Sequence, residues 1–273
     1  MDDASFHQIL GHFNLSRKGY RKVRKGVKKR LSHHMQKLGC ASVREYITAV
    51  SRTPEIEKEC RMHLVVSISR FFRDRRLWDW LENVELTNLI SACGSVFRVW
   101  SCGCARGEEA YSFKILWDRL RRAAPNLPPL ALWATDINPA TIEMAKQGIY
   151  GISSLKELTR EDFDRYFDQV TGKQRYVVKS FLKEGIRFDL HDITKHPPPA
   201  SRFEVVLVRN NLLTYYRNPE KERTLEAILR VLAPGGMMIT GSHEKIPAGF
   251  DYMRASADQP WIFFKPQTAH VIV

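Results

Sequence analysis

Residues 99–112 read Val-Trp-Ser-Cys-Gly-Cys-Ala-Arg-Gly-Glu-Glu-Ala-Tyr-Ser, an apolar run that breaks into small residues and resumes with helix formers. A tight turn built on Gly103, Ala105 and Gly107 lets backbone come close to a ligand and aims helix N–H groups at it. Further on, Ala134-Thr-Asp-Ile-Asn138 puts the Asp136 carboxylate, followed by Ile137, at the carboxyl end of the next apolar run. There it can accept hydrogen bonds from both ribose hydroxyls of a nucleoside. Asp192, followed by Ile193, ends a third run at the same edge, where its side chain or the neighbouring amides can reach an adenine ring. The loop lacks a true Gly-x-Gly-x-x-Gly and has no Gly-Lys-Ser/Thr ending, so a dinucleotide site and a P-loop both fall. Cys93, Cys102 and Cys104 form no Cys-x-x-Cys pair and have no nearby His to complete a ligand set, so no metal is expected.

Positioning these groups requires a sheet. Short apolar or β-branched runs at 96–101, 130–137, 186–192, 203–208, 236–242 and 261–265 alternate with longer helical stretches, the signature of a mainly parallel sheet covered by helices. Ahead of them, Tyr20, Val23, Val27, Leu31, Met35 and Leu38 recur at three- and four-residue intervals, with Gly39 as a helix stop. Helical spacing continues through 43–50 and, after Pro54, through Ile56, Cys60, Leu64, Val65 and Ile68. The organisation expected is therefore a helical unit over 1–75, a connecting helix over 76–95 and an α/β domain over 96–273.

The chain has 273 residues and a formal charge of +13, and the excess is concentrated near the start. From residue 4 to 44 it carries Arg17, Lys18, Arg21, Lys22, Arg24, Lys25, Lys28, Lys29, Arg30, Lys37 and Arg44, with no Asp or Glu. A basic helix over 17–37, docked by its apolar stripe with the charge outward, calls for an acidic partner: a protein surface, a nucleic acid or a membrane. The two others of the five cysteines, Cys40 and Cys60, are as scattered as the rest, and Asp2 and Asp3 stand where a signal peptide would be basic. Free thiols and a cytoplasmic location are expected, with no membrane insertion.

The motifs in their order resemble those of the CheR family, the S-adenosylmethionine-dependent chemotaxis receptor methyltransferases that O-methylate protein glutamates. Ser69-Arg-Phe-Phe-Arg-Asp74 is similar to the family's Thr-x-Phe-Phe-Arg-Glu, and Gly107-Glu-Glu-Ala-Tyr-Ser112 to its Gly-Glu-Glu-Pro-Tyr-Ser. The same holds for Ala134-Thr-Asp-Ile-Asn138, for Gly148-Ile-Tyr150 and for Val231-Leu-Ala-Pro-Gly-Gly236. The resemblance implies a class I, Rossmann-like methyltransferase domain, a seven-stranded mixed sheet with its last strand antiparallel, behind the helical unit. It also implies a small β-subdomain, to be sought at about 170–188. It places Ser67, Ser69 and Arg73 against the cofactor, Glu108 or Glu109 on the methionine amine, Asp136 on the ribose and Asp192 with Ile193 beside the adenine. Gly103, Ile137, Asn210 and Asn211 complete the expected binding set. Arg73 and a Tyr are the residues expected to steer and orient the acceptor carboxylate, and a chemoreceptor is the partner implied.

This sequence departs from the pattern at the catalytic edge. Arg209-Asn-Asn-Leu-Leu-Thr-Tyr-Tyr216 stands for the family's Cys-Arg-Asn-Val-Leu-Ile-Tyr-Phe, and with the Arg-Asn pair set on Arg209-Asn210 the Tyr position falls on Thr214 without a gap or on Tyr215 with one inserted residue. We take Tyr215, because apolar-apolar-x-Tyr-aromatic is then kept. Gly241-Ser-His-Glu244 reverses the usual His-Ser order. A nucleic-acid methyltransferase gripping through the basic helix, and a non-catalytic cofactor-sensing module, stand as alternatives. The Asn/Asp-Pro-Pro-Tyr/Phe motif of amino-methylating enzymes is missing from the fourth strand.

Overall fold

The computed structural model describes residues 1–172 and 174–267. Five helices come first: α1 (Asp3–His12), α2 (Arg17–Tyr20), α3 (Arg24–Lys37), α4 (Val43–Arg52) and α5 (Pro54–Leu64). Their starts are chemically marked. The side chains of Asp2, Ser16 and Ser42 accept the N–H groups of Ser5, Gly19 and Glu45, and Pro54 opens α5, where its missing N–H costs nothing. Phe6, Leu10, Val27, Leu31, Tyr46 and Leu64 close a separate apolar core for these helices.

The continuous basic helix expected over 17–37 is interrupted, because the chain turns at residues 21–23 between α2 and α3. The cause lies in α2. Gly19 packs so tightly on residue 214 that a Cβ there would stand 2.1 Å from the Thr214 carbonyl oxygen. The direction of α2 is therefore set by that distant segment, the short helix over Leu212–Tyr215. Of the expected stripe, Tyr20, Val27 and Leu31 are buried and Val23, Met35 and Leu38 half-buried.

Next come α6 (Arg75–Trp80), a π-helical turn (Leu81–Glu85) and α7 (Leu86–Ser91). The connecting role expected for 76–95 does not describe them. Leu77, Trp78, Leu81 and Leu86 are fully buried in the same core as Phe71, Phe72 and the first strand, so this stretch packs as part of the α/β body. That body continues through β1 (Phe97–Cys102), α8 (Glu108–Ala123), β2 (Leu130–Asp136), α9 (Pro139–Gln147), β3 (Ile149–Gly151), α10 (Arg160–Tyr166), β4 (Phe167–Gln169) and β5 (Arg175–Val178). It ends with α11 (Ser180–Lys183), β6 (Ile186–Leu190), β7 (Phe203–Leu207), α12 (Leu212–Tyr215), α13 (Glu220–Val231), β8 (Leu232–Ile239), β9 (Arg254–Ala255) and β10 (Ile262–Phe264).

Seven strands form one mixed sheet in the order β6-β2-β1-β7-β8-β10-β9, parallel from β6 to β8, with β10 antiparallel to β8 and β9 antiparallel to β10. The period-two alternation of each strand supplies both layers. Phe97, Val99, Val205, Leu207, Met237 and Ile239 enter one core, while Trp100, Cys102, Val206, Val208 and Met238 enter the other. Strand order reverses between β1 and β7, which opens a crevice at their carboxyl ends. A second, three-stranded antiparallel sheet has the order β3-β5-β4. It draws on 149–151 as well as 167–178, and residues 186–190, part of the stretch expected to belong to it, pair instead with β2 in the main sheet.

Candidate functional site

The crevice is a cavity whose floor is the carboxyl ends of β1, β2 and β7 and whose roof is the helical unit. On the floor, the N–H groups of Gly103 and Cys104 both donate to the Thr135 carbonyl, at 2.7 and 2.9 Å, tying the turn after β1 to β2. Gly103 has φ +72°, and a Cβ there would lie 2.2 Å from the Asn211 amide nitrogen, so only glycine permits this approach. Ala105 takes a left-handed φ of +51°, held by its N–H donating to Asp136 Oδ2 at 2.9 Å. Asp136 Oδ1 accepts from the Asn138 N–H at 2.9 Å and the Thr141 hydroxyl at 3.3 Å. Burial raises the pKa of this carboxyl, and the hydrogen bonds to Asn138 and Ala105 oppose the rise.

Eleven of the residues singled out by sequence line this one cavity: Ser69, Arg73, Gly103, Glu109, Asp136, Ile137, Asp192, Ile193, Asn210, Asn211 and Tyr215. Two do not. Ser67 faces the neighbouring basic groove. Glu108 turns into the protein, fully buried, where it accepts from Arg106 at 2.8 Å and burial raises its pKa. Glu109, one position further around the helix, has the cavity side: its carboxylate accepts from the Ser101 hydroxyl at 2.7 Å and from Arg209 Nη1 at 3.1 Å. Asp192 Oδ1 caps its own turn, accepting the Thr194 N–H at 3.0 Å and hydroxyl at 2.7 Å.

Arg73 crosses the cavity wall, donating to the Ile68 carbonyl and to Asn210 Oδ1, each at 3.2 Å. Its flanks are bent: Phe72 and Asp74 have φ of +47° and +63°, with the Phe72 N–H donating to the Ser112 hydroxyl at 2.9 Å. Tyr215 lies 4.9 Å, ring to ring, from Tyr20. Burial raises its pKa, with Arg73 opposing, so the phenol stays protonated. Thr214, the other candidate for the Tyr position, is not among the residues lining the cavity and donates to Glu244 at 2.5 Å.

Sequence reasoning missed two parts of this site. One is Arg209, whose side chain is 3% exposed and donates to Asp74 Oδ2 at 2.6 Å, to Glu109 and to the Arg73 carbonyl at 3.1 Å. Its place directly before Asn210, matching the Arg-Asn pair of the family motif, was the available signal. The other is the roof, where Phe13, Leu15, Tyr20, Arg61 and Leu64 close the cavity. Leu15 and Tyr216 form an antiparallel bridge, with the Ser16 N–H on the Tyr215 carbonyl at 2.8 Å and the Arg217 N–H on that of Asn14 at 3.2 Å.

The chemistry of the donors suits S-adenosylmethionine. A carboxylate held by Ser101 and Arg209 is available for an ammonium, and Asp136 keeps acceptor capacity beyond its three donors for ribose hydroxyls. Gly103 brings backbone to the cavity wall, with the Asn211 amide packed where a Cβ would stand. Among the described residues no cluster of three or more His, Cys, Asp and Glu is placed to hold a metal, all five cysteines are free, and no helix is long and apolar enough to cross a membrane.

Comparison with known proteins points the same way. Residues 67–262 match the family model described as CheR methyltransferase, SAM binding domain. A chemotaxis protein methyltransferase of Listeria monocytogenes is 29% identical over 189 residues, 69% of either chain. The chemotaxis protein methyltransferase Cher2 of Pseudomonas putida is 26% identical over 247 residues, 88% of either chain. A 104.1 kDa protein of Rhodobacter capsulatus is 28% identical over 81% of this chain, which spans 23% of that longer protein.

Proposed function

The chain belongs to the CheR methyltransferase family and is an S-adenosylmethionine-dependent methyltransferase, and from that premise we propose that its acceptor is a glutamate carboxylate on an acidic helical protein such as a chemoreceptor. One observation carries this reading. A groove walled by Arg21, Lys22, Arg24, Lys25 and Arg30, with no acidic residue among the described residues that line it, shares Val65, Val66 and Ile68 with the cavity. An acidic chain laid along the basic face therefore reaches the cavity without leaving the surface. Part of the expected charge is answered locally: Asp3 accepts from Lys28 at 3.1 Å and stands 3.9 Å from Arg24.

The cofactor, when bound, supplies a methyl group on a positively charged sulfur. A glutamate, with a pKa of about 4.3, is already an anion at neutral pH, so the protein need not remove a proton. Its task is placement and exclusion of water. Glu109 would hold the methionine amine, Asp136 the ribose, and Asp192 with Ile193 the adenine. Arg73 would draw the acceptor carboxylate in by charge, and the protonated Tyr215 would orient it by donating a hydrogen bond. Such a reaction belongs in the cytoplasm, where free thiols stay reduced.

Incubating a cell extract with methyl-labelled cofactor and the purified chain tests the reading. Label is expected in protein and should leave as methanol in mild base, as a methyl ester requires. Label in nucleic acid overturns the acceptor assignment, and no product at all leaves a binding module.

A further inference from the structure

Glu244 does not line the cavity, yet its carboxylate holds two points of the chain after β7, Asn210, which binds Arg73, and Thr214, which precedes Tyr215. Oε2 accepts the N–H groups of Asn210 at 2.8 Å and Gly241 at 2.6 Å, and Oε1 accepts the Thr214 hydroxyl at 2.5 Å. The contact is close on every side. A Cβ on Gly241 would come within 2.9 Å of Glu244 Oε2 and 3.0 Å of the Asn210 side chain.

What the carboxylate holds is unfavourable by itself. Asn210 has φ +53°, a conformation that a non-glycine residue keeps only when its surroundings impose it. In that conformation its side-chain carbonyl accepts Arg73 Nη2. Thr214, turned onto Glu244 by its hydroxyl, anchors the short helix α12 so that the next residue, Tyr215, lines the cavity. Both groups assigned to the acceptor thus depend on one side chain that touches neither.

We propose that Glu244 is a positioning residue for methyl transfer, a clasp on Asn210 and Thr214 that sets the placement of Arg73 and Tyr215. It rests on the roles given to those two residues above. Glu244→Gln can keep its amide oxygen on the two backbone N–H groups and donate its NH2 to the Thr214 hydroxyl, which accepts as well as donates, so it leaves the clasp closed, whereas Glu244→Ala opens both arms.

The test uses the full chain with the acceptor fraction that takes label, in five forms: wild type, Glu244→Ala, Arg73→Ala, the double variant of these two, and Glu244→Gln. Glu244→Ala should lower kcat tenfold or more while its Kd for S-adenosylhomocysteine and its KM for cofactor stay within threefold, and Glu244→Gln should keep most of the wild-type kcat. In the Arg73→Ala background Glu244→Ala should cost only about threefold, the share that runs through Thr214 to Tyr215, because the path through Asn210 is already cut. Parallel losses in affinity and kcat, or fully additive losses in the double variant, overturn the proposal. Arg73→Ala alone reports on the reading beneath it: unchanged turnover sinks the role of Arg73 and the proposal with it, whereas reduced turnover with additive losses sinks only the proposal. Should Glu244→Ala not fold, Thr214→Val opens one arm only. It should lower kcat about threefold at unchanged cofactor affinity, and unchanged kcat refutes the clasp.

Discussion

Asp136→Asn tests the floor of the site with the least change in volume. The carboxylate has two oxygens facing three donors, the N–H groups of Ala105 and Asn138 on opposite oxygens and the Thr141 hydroxyl. An amide has one oxygen, so whichever way it turns, its NH2 meets one of those two backbone N–H groups. Leaving a buried donor without an acceptor costs about 1–3 kcal/mol of stability, and the Ala105 loop, with its left-handed residue, is the weaker side. Losing the negative charge also removes about 1.5–3 kcal/mol from a charged hydrogen bond to ribose, which is roughly ten- to a hundredfold in affinity. Calorimetry with S-adenosylhomocysteine measures the second effect and thermal unfolding the first. Because burial raises the pKa of Asp136, wild-type affinity should fall as pH drops through a value above the ordinary aspartate range, as the carboxylate takes up its proton. The asparagine variant should lose that pH dependence. A folded variant that binds within threefold of wild type, or keeps the same pH profile, removes Asp136 from the ribose site.

Arg73→Ala should lower methyl transfer by more than its loss of cofactor affinity explains, measured as kcat beside a calorimetric Kd; equal losses would leave Arg73 a binding residue only. Arg209→Met removes the donor shared by Asp74 and Glu109 and should cost about 3–5 kcal/mol on thermal or urea unfolding, since two partly buried carboxylates lose their cation. Lys25→Glu with Lys29→Glu should raise the KM for an acidic protein acceptor and leave cofactor affinity and melting temperature almost unchanged, both side chains being exposed. If the partner were duplex nucleic acid, a salt titration would show log affinity falling at about 0.9 per phosphate neutralised.

The floor of the site is legible in the sequence because local backbone chemistry dictates it. Gly103 marks a left-handed turn, and Asp136 and Asp192 stand at the ends of apolar runs, so strand period and turn residue fix all three without knowledge of distant contacts. The roof is not legible in this way. Leu15, Tyr20 and Leu64 read as apolar positions of helices, and periodicity says that such residues are buried without saying against what. Leu77, Trp78, Leu81 and Leu86 fail for the same reason, being helical in spacing but packed on the sheet's core. Glu108 and Glu109 are adjacent on a helix and point about 100° apart, so only the docked helix separates a buried ion pair from a cavity group. Arg209 is one of 43 basic residues, and its burial between two carboxylates depends on strands and loops that meet only in the folded chain.

The stitch between the first helices and the loop after β7 bears on how the molecule is made. Asn14 and Glu220, hydrogen-bonded to one another, are 206 residues apart, and Leu15 pairs with Tyr216 beside them. On a ribosome the helical unit emerges first and can close its own core, yet its inner surface around Leu15 and Tyr20 stays uncovered until nearly the whole α/β body has followed. The closed cavity, whose lining runs to Tyr216, is thus incomplete in every shorter nascent chain. Late, non-local closure of this kind is slow and leaves apolar surface open in the meantime, so the interval before residue 216 arrives is when a chaperone has most to cover.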